Sequence, residues 1–66
     1  MNISLNGEQR SFADTTTLAD LVETLELAER RIAVEVNETL VPRAEHGDYT
    51  LREGDRVEIV HAIGGG

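Results

Sequence analysis

Hydrophobic and polar positions alternate from the first residue. Met1, Ile3 and Leu5 are separated by Asn2 and Ser4, the period-two pattern of a strand with one buried face. Asn6-Gly7 follows at once. Both central residues of a type I′ turn need positive φ, which Asn-Gly tolerates best, so the pattern predicts a tight hairpin. The returning strand runs over Glu8 to Phe12, with Arg10 and Phe12 on one face.

The period then lengthens. After Thr15, Thr16 and Thr17, the segment LADLVETLEL places Leu18, Leu21, Val22 and Leu25 at i, i+3, i+4 and i+7, the stripe of an amphipathic helix. Thr17 is positioned as its N-cap, and Asp20 as a short version of the capping-box acid. Alternation resumes at Ile32, Val34 and Val36, which predicts a strand. Asn37-Glu38 turns, and Thr39 to Val41 continues as a short strand until Pro42. Proline has no N–H for a ladder, so this strand lies at an edge or ends there. Ala44 to Asp48 reads as irregular or as a single helical turn. Tyr49 and Leu51 alternate once more, Glu53-Gly54-Asp55 turns, and Val57 to Ile63 forms a last, richly apolar strand.

This order predicts an α+β fold, one amphipathic helix packed on a four- to five-stranded mixed sheet. The expected core is Ile3, Leu5, Phe12, Leu18, Leu21, Val22, Leu25, Ile32, Val34, Val36, Leu51, Val57 and Ile59. Residues 1–63 make one domain, and 64–66 a flexible C-terminal glycine tail.

Length narrows the function. A chain of 66 residues buries only about 60% of its unfolded surface and has no room for a deep substrate cleft beside its core. It is therefore expected to be no enzyme by itself. There is no cysteine, which removes disulfides, thiolate metal sites and thiol nucleophiles together. That composition fits a reducing compartment. Nothing reads as a signal peptide or membrane span, so a soluble cytoplasmic protein, monomeric when free and without membrane contact, is expected. Thirteen acids against six bases leave a net charge of −7. Such a surface repels a phosphate backbone, which sets nucleic acid aside, and it either steers the protein to a basic partner or serves solubility. All the bases are arginine; with no lysine, no side-chain amine is present to form an isopeptide or Schiff base.

Side chains offer little catalysis. Glu23 and Glu26 read as a solvated helix face. His46 and His61 have no Ser or Cys partner at a recognisable spacing, and neither a triad nor a metal site is expected from them. Neither GxxxxGK[ST] nor GxGxxG is present, so the chain has no phosphate-binding loop of its own. Attention falls on the end, where the last strand runs into Gly64-Gly65-Gly66. Without Cβ atoms, such a tail threads a narrow channel and leaves its final carbonyl carbon unshielded. A free carboxylate is a poor electrophile; a mixed anhydride with a nucleotide supplies the leaving group, and a persulfide or thiol then attacks. Beside the tail, Val60 and Ala62 alternate with Val57 and Ile59 and fall on the sheet's open face. Val60, His61, Ala62 and Ile63 are the candidate partner-docking residues. Arg43, Arg52 and Arg56 either meet acidic partner groups or balance local acids.

The hairpin–helix–strand order with terminal glycines resembles the ubiquitin-like β-grasp. Within it, AVEVNETLVPR (Ala33 to Arg43), LREGDRVEIV (Leu51 to Val60) and HAIGGG resemble the ThiS family, the sulfur carriers of thiamine biosynthesis. Two positions depart from the family pattern: His46 stands where an aromatic is common, and Glu26-Leu27 where a glycine often ends the helix. The resemblance implies a carrier without a bound cofactor. Its Gly66 carboxylate would be adenylated by a ubiquitin-activating-type adenylyltransferase using ATP and Mg²⁺, with Gly64 and Gly65 threading the partner's active site. Sulfur from a cysteine desulfurase would make Gly66 a thiocarboxylate, the donor to thiazole synthase. A molybdopterin synthase small-subunit-like carrier, a protein modifier and a plain interaction module remain as alternatives.

Overall fold

The structure, a computed structural model, describes residues 1–61. The first hairpin pairs β1 (Asn2–Leu5) with β2 (Glu8–Ser11) in antiparallel register, Leu5 opposite Glu8 and Asn2 opposite Ser11. Asn6 and Gly7 have φ of 49° and 86°, the pair of positive values that a type I′ turn requires. β2 stops one residue short of the expected Phe12, although the Phe12 amide still donates to the Met1 carbonyl at 2.9 Å. The Arg10 guanidinium lies 6.0 Å from the Phe12 ring centre, so those two side chains do share a face.

The helix α1 spans Leu18–Thr24. Its capping box is complete: Thr17 Oγ1 accepts from the Asp20 amide, and Asp20 Oδ2 from the Thr17 amide, each at 3.1 Å. The helix ends sooner than the apolar stripe, with Leu25 as its C-cap. The Leu27 amide reaches the Val22 carbonyl and the Glu26 amide the Glu23 carbonyl, both at 2.9 Å, with Glu26 at φ 61°. These are the paired bonds of a Schellman closure, built on a glutamate in the left-handed position.

β3 (Ile32–Val36) and β4 (Thr39–Val41) form the second hairpin, and a 3₁₀ segment covers Arg43–Asp48. Asn37 and Glu38, at φ 52° and 70°, make another type I′ turn. The last strand, β5, occupies Arg56–His61. Sheet order is β2-β1-β5-β3-β4, with β5 parallel to β1 and antiparallel to β3. The mixed sheet therefore reaches its upper expected size of five strands, in the ubiquitin-like β-grasp arrangement, and β4 both lies at an edge and ends just before Pro42.

Ten of the thirteen expected core residues are buried. Phe12, Leu25 and Ile32 are corrections: each is half-buried and packs against the core from its rim. Phe12 lies just past the outermost strand, Leu25 caps the helix, and Ile32 starts β3. Val41 and His46 take interior places instead. Val41 sits opposite the buried Val34 and shares its inward face, since paired residues in a sheet point the same way. Tyr49 to Leu51 does not join the sheet. It pairs with the segment entering the helix, through the Leu18 amide to the Tyr49 carbonyl and the Leu51 amide to the Thr16 carbonyl, both 2.9 Å.

Candidate functional site

The strand that leads to the C-terminal glycines lies in the middle of the sheet. Along β5, Val57 and Ile59 are buried against the helix side, whereas Arg56, Glu58 and Val60 are exposed. Val60 is 57% exposed, opposite the exposed Ala33 of β3. One strand further, Leu40 is 59% exposed opposite Glu35, and Glu35 is itself opposite Glu58. The open face thus sets three apolar side chains, Val60, Ala33 and Leu40, around two acids. Leu40 was not singled out from the sequence; a three-residue strand is too short to show which of Leu40 and Val41 faces inward.

His61 belongs to the other side. Its side chain lines a concavity of about 290 Å³ with Leu5, Leu25, Leu27 and Ile59, between the helix end and the first hairpin. Val60 and His61, grouped in sequence, therefore face opposite ways, as successive residues of any strand must. Ala62, Ile63, Gly64, Gly65 and Gly66 lie outside the described residues, and with them the expected division between domain and tail.

His46 is buried at 6% exposure, its Nε2 2.9 Å from the Val41 carbonyl oxygen. It satisfies its polar edge against the backbone from inside the core. Arg43 also has a structural task. Its two terminal nitrogens donate to the Ala28 and Arg30 carbonyls, at 2.5 and 2.6 Å, and so hold the connection between α1 and β3. Arg56 pairs with Glu38 at 2.7 Å on the surface. Among the described residues no group of three or more His, Asp or Glu is placed to hold a metal ion, and no helix is long and apolar enough to cross a membrane. An open surface concavity of about 560 Å³ is lined by Asn37, Asp48, Tyr49, Thr50, Arg52 and Asp55, and none of those six is a histidine or cysteine.

Known proteins resemble this chain along its whole length. The sulfur carrier protein ThiS of Bacillus subtilis is 32% identical over 65 residues, covering 97% of this chain and 98% of that protein. A crystal structure of a thiamine biosynthesis protein (ThiS) from Geobacter metallireducens superposes with a TM-score of 0.86 at 29% identity, over 100% of both chains. A thiazole synthase of Magnetococcus marinus is 44% identical over 66 residues, all of this chain but only 20% of that protein. The chain thus spans about a fifth of the thiazole synthase it matches. The ThiS family pattern itself matches from Ile3 to the final glycine, residues 3–66, and the chain belongs to that family.

Proposed function

We propose that this protein is a sulfur carrier of thiamine biosynthesis, a substrate of its partner enzymes rather than a catalyst. The observation that carries the reading is the match to ThiS proteins along the whole chain, through the terminal glycines. The reacting group is the Gly66 carboxylate. One of its oxygens attacks the α-phosphorus of ATP, held with Mg²⁺ by a ubiquitin-activating-type adenylyltransferase, and pyrophosphate leaves. A persulfide sulfur supplied by a cysteine desulfurase then attacks the carbonyl carbon, and AMP leaves. A second thiol cleaves the resulting S–S bond, forming a disulfide and leaving the thiocarboxylate on Gly66. Thiazole synthase is the acceptor, and the thiazole synthase relative containing a segment like this entire chain supports that pairing. The exposed Val60, Ala33 and Leu40 suit the open face for docking, with Glu35 and Glu58 between them to meet a basic partner surface. A chain lacking cysteine fits the cytoplasm, where its partners would work.

Removing Gly66 tests the reading. The truncated protein should melt with the parent, since a terminal residue contributes little to stability, while ATP–pyrophosphate exchange with the adenylating partner disappears. Exchange that survives the truncation would overturn the assignment. Growth of a deletion strain restored by thiazole but not by molybdopterin would name the acceptor pathway, and the reverse would replace it.

A further inference from the structure

β1 supports β5 for only a short distance. The two pair at Ser4 with Arg56 and Leu5 with Val57, and the Asn6 amide donates to the Val57 carbonyl at 2.9 Å. The chain then leaves through the Asn6-Gly7 turn. On β5 the next groups facing this side are the N–H and C=O of Ile59, which point together toward one neighbour. The Asn6 carboxamide meets both. Its Oδ1 accepts from the Ile59 amide at 2.8 Å, and its Nδ2 lies 3.4 Å from the Ile59 carbonyl oxygen. The shorter contact is the stronger one. The side chain occupies the place that another peptide unit of β1 would take.

The turn does not demand this amide, because glycine adopts positive φ equally well at that position. The second hairpin repeats the device. Asn37, first residue of the other type I′ turn, accepts from the Arg56 amide through Oδ1 at 2.9 Å and donates from Nδ2 to Asp55 at 3.1 Å. β5 is therefore held near each end by a turn asparagine, and the clamp at Asn6 is on the side from which the glycines follow.

We propose that Asn6 is a positioning residue for the chemistry at Gly66, holding β5 in register beyond the end of β1. The role rests on the carrier reading above. Docking through Val60 aims the C-terminal carboxylate only if the backbone around Val60 is fixed, and freedom left there must be removed before the carboxylate oxygen is in line to attack the α-phosphorus. Asn6 acts through Ile59.

Asn6→Gly keeps the turn and removes the carboxamide, whereas Asn6→Asp keeps an oxygen acceptor for the Ile59 amide. Amide hydrogen exchange at Ile59 reads the clamp without any partner, and ATP–pyrophosphate exchange with the adenylating partner reads positioning. Asn6→Gly should speed exchange at Ile59 by about tenfold, the scale of one lost hydrogen bond. It should lower kcat by on the order of tenfold with KM near that of the parent, and Asn6→Asp should restore most of both. Unaltered Ile59 exchange in a folded Asn6→Gly protein overturns the clamp. Faster exchange with unchanged kcat, or a loss confined to KM, overturns the positioning role. An inert parent protein would overturn the carrier reading instead, a result distinct from either. If Asn6→Gly fails to fold, the parent protein decides the clamp: an Ile59 amide that exchanges as fast as an unpaired one overturns it, and a protected Ile59 amide supports it.

Discussion

Among the described residues, four that are not glycine hold positive φ: Asn6, Glu26, Asn37 and Glu38. The asparagines are suited to it, and each uses its amide on β5. The glutamates are not. Glu26 occupies the left-handed position that ends a helix, where a Cβ costs about 1–2 kcal/mol and glycine is the usual solution. Glycine would return about 0.4–1 kcal/mol of that through the greater freedom of the unfolded chain. Glu26→Gly should therefore stabilise the protein by about 0.5–1 kcal/mol, a rise of a few degrees in Tm by calorimetry for a domain this small; a lower Tm would mean that Glu26 makes a compensating contact. Glu38 is less clean a test, because its carboxylate also meets Arg56. Both departures from the family pattern that were legible in the sequence thus have a place in the structure: Glu26 closes the helix under strain, and His46 takes a core position.

Elements were legible wherever the signal was local. Asn6-Gly7 dictated a hairpin, Thr17 with Asp20 dictated the helix start, and Pro42 ended an edge strand. The helix is short, with seven residues, well below the length at which an isolated helix is stable. Its stability in the protein comes from Leu18, Leu21 and Val22, all buried against the sheet. Leu21→Ala should cost about 2–5 kcal/mol through the cavity it leaves. Denaturant unfolding measures it, and parental stability in the variant would show that the stripe does not bear the core. What periodicity missed lies between elements. Val41 is the end of a three-residue strand, too short to show a phase. The alternation of Tyr49 and Leu51 reflects pairing with the approach to the helix, a contact between segments more than thirty residues apart in sequence.

At the scale of the whole molecule, charge dominates. The net charge is −7, and on the open face Glu35 and Glu58 stand directly opposite one another on neighbouring strands. Like charges so placed cost roughly 0.2–1 kcal/mol in the free sheet. A basic partner surface would relieve them. Association with the proposed adenylating partner should therefore slow as salt is raised, on the order of tenfold between low and high ionic strength. Stopped-flow measurement across a salt series reads this, and a salt-independent association rate would show that docking is apolar alone. By itself the sequence determined the turns, the helix and its cap, the strands' existence and the acidic balance, because each depends on neighbours within a few residues or on composition. Only the tertiary structure decided that β5 lies between β1 and β3, that His61 lines the concavity at the helix end, that His46 is interior, and that Asn6 reaches Ile59. Those outcomes depend on partners such as Leu5 with Val57 and Val34 with Ile59, and pairing across such distances leaves no periodic mark along the chain.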